Sequence, residues 1–255
     1  MTTFFSQFGQ LLQSLRTLAT ICMLCLLLTW SLPAQAATRI DPQLEQQVLQ
    51  IIREHPEVII ESVQAYQQQQ QQKLNQVRQE FLQDLKTNPQ TVIGDSPTTG
   101  STQSKFLLVE FSDFQCPYCA EAHKTLKQLL AKYQGKVRLV YKNLPLASIH
   151  AQALPAATAA WAAQQQGKFW EYHDALFTNQ KQLGEALYLD IAKNLNLDLA
   201  KFKRDRTLAT PAIKNDIQLA EKLAVAGTPF FIISSPTISQ VVQLSEVESI
   251  LAETK

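Results

Sequence analysis

The chain has no marked excess of charge of either sign. It carries 23 lysine and arginine residues against 22 acidic ones, a formal net charge of +1, and only 18% of its 255 residues are charged. Proteins that bind nucleic acid or anionic membranes through their overall field carry a clear basic excess. We therefore predict no nucleic-acid partner. Hydrophobic residues make up 45% of the chain, enough for one packed core with a smaller appendage.

Cysteine is also scarce: four residues form two C-x-x-C pairs. Cys22 and Cys25 lie inside an apolar run at 18–32, which is followed by Ala-Gln-Ala at 34–36. A small-x-small tripeptide after an apolar run is typical of a signal-peptidase site. We predict that residues 1–36 are a signal peptide and that the protein is exported to the periplasm or an equivalent extracytoplasmic compartment. The alternative is an uncleaved membrane anchor, since roughly 20 apolar residues span a bilayer.

Residues 37–90 are predicted to form a helical, glutamine-rich arm. Apolar residues recur there at spacings of three and four around a glutamine run at 67–72. A helix with so narrow an apolar stripe must pack on the main domain or on another copy of itself, so the arm is a possible homo-oligomerisation element. A segment rich in Pro, Gly, Ser and Thr at 88–104 indicates a linker, which places the catalytic domain at 91–255.

The remaining pattern predicts an α/β fold. Strands are expected at 105–112 and 137–143 on either side of a helix, and a helical insertion at about 148–208 follows them. A further helix, a hairpin and a last helix complete the chain. This order is that of a thioredoxin-like sheet with a helical insertion after its second strand.

Cys116 and Cys119 lie where the first strand meets the following helix. Unsatisfied N–H groups and the helix dipole at that position favour a thiolate on Cys116, and the thiolate is the attacking species in disulfide exchange. Cys119, one turn further on, resolves the mixed disulfide. We therefore expect an exposed nucleophile at Cys116 and a buried thiol at Cys119.

Two other interpretations of the cysteine pair are weaker. A zinc site needs four ligands, and no second cysteine pair remains after cleavage, while His55, His123, His150 and His173 lack ligand spacing. We predict neither a metal nor a cofactor, although His123, on the same helix, is near enough to approach the pair. An inert disulfide closing so small a loop constrains little chain entropy.

The sequence resembles the DsbA-like branch of the thioredoxin superfamily. The resemblance is carried by VEFSDFQCPYC at 109–119, the helical block from 154 to 173, Gly-Thr-Pro at 227–229 before a strand, and the N-terminal helical segment. It implies a protein thiol–disulfide oxidoreductase, either an oxidase or an isomerase. It further implies exported client proteins and a membrane redox partner.

The resemblance also assigns roles to single residues. It implies that Pro229 is a cis-proline facing the cysteine pair, that Thr228 presents its backbone to the substrate, and that Glu110 is a buried acid assisting proton transfer. Pro117 and Tyr118, between the cysteines, join the expected substrate-binding residues. The alternatives are a trans proline opening an edge strand and a solvent-facing glutamate. Relatives often have Asn-Gly in the turn after the next strand, where this chain has Ser-Ser-Pro-Thr, so that turn is expected to differ.

Two other classes of function remain open. One is a chaperone that holds unfolded exported chains on apolar surface around the motif. The other is copper handling, because two thiolates suit Cu(I).

The export prediction is tested by intact-mass measurement of protein made in a bacterial host. Cleavage should give a chain that begins at Ala37, and Ala36→Phe should block it because the peptidase needs a small residue there. Gln35→Asn, at the unrestricted middle position, is the control. A product that retains residues 1–36 would favour the membrane-anchored alternative.

Overall fold

The computed structural model describes residues 41–253 together with Met23. The predicted signal peptide therefore lies, apart from Met23, outside the described residues. The chain divides into two compact units, with the division between Ala65 and Tyr66. The sequence pattern places the end of the arm later, at residue 90.

Two helices make up the described part of the first unit. Helix α1 covers Pro42–Glu54, and α2, Pro56–Thr87, begins in this unit and continues into the second. The Asp41 carboxylate caps α1 by accepting the Gln43 N–H at 2.9 Å, as expected for an acidic residue before a first-turn proline.

The apolar side chains of this first unit are exposed. Nine of them have between 39% and 58% of their surface accessible: Leu44, Val48, Leu49, Ile51, Ile52, Val58, Ile59, Ile60 and Val63. Large exposed apolar surfaces are typical of interaction sites. The oligomerisation hypothesis stays a prediction.

The second unit contains a five-stranded sheet and eight further helices. The strands are β1 Thr98–Thr99, β2 Phe106–Ser112, β3 Val137–Asn143, β4 Phe230–Ser234 and β5 Ser239–Val242. The helices are α3 Pro89–Ile93, α4 Pro117–Lys132, α5 Ala153–Gln164, α6 Phe169–Thr178, α7 Glu185–Asn194, α8 Leu199–Leu208, α9 Thr210–Lys222 and α10 Leu244–Glu253. The predicted thioredoxin-like fold is confirmed, including the helical insertion, which supplies α5 to α8.

The sheet has the order β1-β3-β2-β4-β5. Strand β2 pairs in parallel with β3 and antiparallel with β4, and β1 and β5 are antiparallel edge strands. Because β2 is central and covered on both faces, its apolar run is almost continuous. Leu108 and Glu110 point to the face that α4 covers, and Val109 and Phe111 point to the opposite face, where the end of α2 packs.

The segment at 88–104, which the sequence predicts to be a linker, is anchored to the sheet in the structure. Val92 and Ile93 of α3 are buried together with Phe81 and Leu85 of α2. Strand β1 pairs with β3, and the indole N–H of Trp170 donates to the Thr98 carbonyl at 2.8 Å. The Pro, Gly, Ser and Thr content marks turns correctly, but the apolar and strand-forming residues between those turns anchor the segment to the sheet.

Within residues 41–253 and at Met23, none of the helices combines the length and the apolar character needed to cross a bilayer.

The exposed apolar side chains of residues 41–65 predict self-association of the protein. Each buried Ile contributes about 1.5–3 kcal/mol, so Ile52→Gln with Ile59→Gln should shift the protein strongly to monomer in sedimentation equilibrium. Gln46→Ala with Gln47→Ala, both on α1, is the control. A deletion should stop at residue 65, because Phe81 and Leu85 belong to the core. An unmodified chain that stays monomeric at high concentration contradicts the oligomer hypothesis and favours a simple oxidase.

Candidate active site

Cys116 lies at the start of α4, directly after the turn that leaves β2. Its backbone is extended (φ −70°, ψ 123°), and Pro117 is the first helical residue. The Cys116 carbonyl accepts the N–H groups of Cys119 and Ala120 at 3.1 and 3.2 Å. Cys116 is therefore the N-terminal cap of the helix, and Cys119 lies one turn inside it, as the spacing predicts.

Both cysteines are buried free thiols, with 4% of Cys116 and 0% of Cys119 exposed. The expected burial of Cys119 is confirmed, and the expected exposure of Cys116 is wrong. The Cys116 thiol donates to the Thr228 carbonyl at 3.3 Å and packs in a cluster with Phe114 and Phe177. Tyr118, which is 74% exposed, marks the open side of the motif.

The Thr228–Pro229 peptide is cis. The implied cis conformation of Pro229 is therefore confirmed, and the hydrogen bond from Cys116 brings Thr228 against the Cys116 sulfur. The assignment of Thr228, Pro229, Pro117 and Tyr118 to substrate binding stays a prediction.

Glu110 lies beneath the active-site helix and is 1% exposed, so the solvent-facing alternative is wrong. Burial raises the pKa of its carboxyl to about 7, with the nearby Ser112 hydroxyl acting in the opposite direction. Neither carboxylate oxygen makes a hydrogen bond of normal geometry within the described chain. A buried carboxyl in this state favours its neutral form and holds a proton near neutral pH.

Cys119 shares this polar environment. Burial raises the pKa of its thiol to about 12, while the hydroxyls of Ser112 and Thr228 act against the rise and the charge of Glu110 adds to it. The hydroxyls of Ser112, Tyr141 and Thr228 are themselves buried, without hydrogen bonds of normal geometry in the described part of the chain. Cys119 is thus protonated at neutral pH and has a carboxyl group beside it.

Tyr141 is part of this cluster because β3 places it opposite Glu110 in the parallel register. Burial and the charge of Glu110 raise the pKa of its phenol well above its usual value. Sequence reasoning missed Tyr141 and Ser112. The alternation of β2 does carry a signal for Ser112, which lies two residues after Glu110 on the same face.

The turn before Cys116 is fixed by the buried carboxylate of Asp113. One oxygen accepts the Gln115 N–H at 2.8 Å, and the other accepts the Leu146 N–H at 3.0 Å and lies 2.7 Å from His150 Nδ1. The Asp113 carbonyl in turn accepts the Cys116 N–H at 3.1 Å. Asp113 is therefore a positioning residue, a role that its place beside the motif did not reveal.

Gln180 braces the same turn from the helical insertion. It lies in a short 3-10 helix, Gln180–Gln182, and its side-chain amide donates to the carbonyls of Phe114 and Cys116 at 2.9 and 2.8 Å. No sequence signal predicted this contact, because the two segments are far apart along the chain.

Two of the histidines that lack ligand spacing in the sequence meet in the structure. His123 Nε2 and His173 Nδ1 lie 2.9 and 3.1 Å from the same oxygen of Asp174. The expectation that the histidines are scattered is therefore wrong for this pair, which α4 and α6 bring together.

The thioredoxin family model matches residues 92–253. Among solved structures, a thioredoxin-like oxidoreductase from Silicibacter pomeroyi is 30% identical, with a TM-score of 0.56 over 66% of this chain and 97% of that one. The thiol–disulfide exchange protein alpha-DsbA2 of Wolbachia pipientis is 24% identical, with a TM-score of 0.58 over 72% and 98% of the two chains. ScsC of Proteus mirabilis is 23% identical, with a TM-score of 0.56 over 84% and 98%.

The curated proteins that match part of this chain are named as Na(+)/H(+) antiporters. A Na(+)/H(+) antiporter, NhaA 3 of Salinispora tropica, is 41% identical over 138 residues, which are 53% of this chain and 21% of the antiporter. NhaA 1 of Salinispora arenicola is 39% identical over the same shares. Because this chain spans about a fifth of those proteins, the match does not carry their transport activity to it.

The fold and the matching family model together define a protein of thioredoxin-like architecture. The chain belongs to the thioredoxin family.

The raised pKa of Glu110 predicts a pH-dependent effect of Glu110→Gln. The folded protein holds this proton up to about pH 7, whereas an unperturbed glutamate loses it near 4.5, so its contribution to stability is lost as pH rises between those values. Removing the charge should raise the free energy of unfolding above pH 7 by on the order of 3 kcal/mol, with little change at pH 4. Denaturant unfolding at both pH values measures this.

The exposed Glu121, changed to Gln, is the matched control on α4 and should alter neither value. A Glu110→Gln protein with the same stability change at pH 4 and pH 8 would show that the carboxyl is not buried with a raised pKa.

Proposed function

We propose that the protein exchanges thiols and disulfides with exported client proteins through a redox-active Cys116–Cys119 pair. The observation that carries the proposal is the placement of the two sulfurs. Cys116 caps α4 against the Thr228 carbonyl, and Cys119 lies one turn inside, beside the buried Glu110. A nucleophile at the helix start and a protected resolving thiol are what two-step exchange needs.

In the reducing direction, the Cys116 thiolate attacks one sulfur of a client disulfide. A Cys116–client disulfide forms, the client S–S bond breaks, and the electron pair leaves on the client's other sulfur as a thiolate. Cys119 then attacks Cys116 and releases the second client thiol. The client gains two electrons and the cysteine pair loses them as it becomes a disulfide; the reverse sequence oxidises the client.

Glu110 supplies the proton acceptor for the second step. Cys119 must lose its proton to attack, and the high pKa of its thiol makes this unfavourable without a base. The Glu110 carboxyl, with a pKa of about 7, is partly ionised near neutral pH and therefore able to take that proton. The buried Ser112 hydroxyl lies near both the Cys119 thiol and the Glu110 carboxyl, and the Thr228 hydroxyl lies near the Cys119 thiol.

The client is proposed to bind as an extended segment at the open side of the motif. There Tyr118 supplies exposed aromatic surface, Pro117 follows Cys116 in the chain, and Pro229 follows Thr228, whose carbonyl accepts the Cys116 thiol. Once Cys116 reacts, the Thr228 backbone would pair with the client main chain, a mode that gives affinity without requiring one client sequence.

The direction of net exchange depends on the redox potential of the pair and on the partner that resets it. A potential near about −120 mV marks an oxidant, and one near about −270 mV a reductant. We propose an extracytoplasmic location and a membrane redox partner. Dimerisation through residues 41–65 would place two such sites around one client, as isomerisation of wrongly paired disulfides requires.

Trapping of a mixed disulfide tests the proposal. In Cys119→Ser the first attack proceeds and the second does not, so a covalent complex with a disulfide-bonded client should accumulate on non-reducing gels. Cys116→Ser, which lacks the nucleophile, is the control and should form none.

The opposite pattern, trapping through Cys119 alone, would reverse the two roles. A protein with both cysteines replaced that still suppresses client aggregation, while the native protein shows no exchange, would favour the chaperone interpretation.

A further inference from the structure

A second group of chemically competent side chains lies apart from the cysteines. His123 on α4 and His173 and Asp174 on α6 each offer one ligand atom, and these three atoms all lie within 4.8 Å of one another. His123 Nε2 and His173 Nδ1 converge on the same Asp174 oxygen, at 2.9 and 3.1 Å. Zinc holds nitrogen and oxygen ligands at about 2.0–2.2 Å, so a small outward shift of these groups makes room for the ion.

We propose that His123, His173 and Asp174 bind a divalent transition-metal ion, for which zinc is the best-suited species. Two imidazoles and one carboxylate form the set of three protein ligands found at zinc sites that keep a fourth position for water. Imidazole nitrogen selects first-row transition metals over magnesium and calcium.

The proposed site is enclosed by protein around the two histidines and open to solvent at the Asp174 carboxylate. Both histidines are buried, whereas the Asp174 side chain is 37% exposed. A cavity of about 230 Å³ reaches all three residues, and its lining includes Leu126, Lys127 and Trp170. The ligands are therefore held by packing while solvent reaches the carboxylate.

Hydrogen bonding leaves His173 incompletely satisfied. Its Nε2 is buried with no partner in the part of the chain that the structure describes. Its ring is surrounded at 4.9–5.7 Å by those of Phe114, Tyr141, Phe169, Trp170 and Phe177. An N–H suits electron-rich rings better than a lone pair does. A metal on Nδ1 fixes the hydrogen on Nε2 and so satisfies both nitrogens.

The charge states suit a cation. Asp174 brings a carboxylate to the cluster, and a ring nitrogen of each histidine lies within hydrogen-bond distance of its Oδ1.

Lys127 is the other cation at this position, with its Nζ 2.7 Å from Asp174 Oδ2. It leaves Oδ1, the oxygen shared by the two imidazoles, for the ion. The Lys127 side chain is 60% exposed, so solvent screens its repulsion of a bound ion.

Bound metal would tie the helix that carries both cysteines to the helical insertion. Phe177 stacks on His123 and also contacts Phe114, so aromatic rings stand between the metal ligands and the turn before Cys116. The expected effect is stabilisation of the folded state by ligand binding, without a metal step in thiol exchange.

Zinc titration against a chromogenic chelator tests the site. The protein carries Cys116→Ser and Cys119→Ser, so that the thiols do not bind the ion, and it should bind one equivalent. In that background His123→Gln and Asp174→Asn should each weaken binding by more than about tenfold. His150→Gln, which removes another histidine paired with a carboxylate, is the matched control and should bind normally.

Cobalt(II) added to the same background with all three ligands intact covers the case in which a substitution prevents folding. Cobalt should broaden the imidazole NMR signals of His123 and His173 and leave those of His55 unchanged. No equivalent of zinc bound, equal binding after His123→Gln, or cobalt broadening confined to His55 and His150 would each overturn the proposal.

Discussion

Glu110 is a carboxylate held in the middle of the central strand, under the helix that carries both cysteines, and the chemistry of the site depends on its burial. Its position is fixed from both sides, because β2 pairs it with Tyr141 on β3 and Phe231 on β4. The charge of buried Glu110 disfavours the ionised form of Cys119. The two groups therefore titrate as a pair, and one negative charge between them is the most that the site accommodates easily.

That coupling links proton movement to sulfur chemistry. When Cys119 becomes part of a disulfide it has no proton to lose, and the carboxyl is relieved of one acidic neighbour. When the disulfide opens, the thiolate that forms on Cys119 takes up a proton, and the Glu110 carboxyl lies beside it. The buried hydroxyls of Ser112, Tyr141 and Thr228 line this environment. The site thus holds the Glu110 carboxyl and the Cys119 thiol together, away from bulk water, as the proposed proton transfer requires.

The local features of the site were predictable from sequence, and the tertiary ones were not. The apolar run of β2, the helix after Cys116 and the burial of Cys119 follow from short-range patterns. The cis form of Pro229 and the buried Glu110 were expected from the family resemblance, on the Gly-Thr-Pro and VEFSDFQCPYC motifs. Tyr141, Gln180 and the meeting of His123 with His173 depend on which elements pack together, and one sequence does not specify that.

The wrong expectation about Cys116 has the same origin. A cysteine at a helix start is exposed if nothing covers it, and in this fold the Thr228–Pro229 segment and the aromatic residues of α6 do. The linker at 88–104 was misinterpreted for a related reason. Turn-forming residues indicate where the chain bends. Val92 and Ile93, which are buried, are nevertheless enough to anchor the segment to the core.

The helical insertion gives the site its asymmetry. From one side it supplies Phe177 beside Cys116 and Gln180 on the carbonyls of the active-site turn. Outside the insertion, the Thr228 carbonyl accepts the Cys116 thiol, and Tyr118 of the motif itself is exposed. In the proposed exchange, the enclosed Cys116 would meet a disulfide presented on a client chain that extends along Thr228. Reactivity would then be coupled to backbone pairing, so that recognition of the client main chain and alignment of its sulfur would be one event.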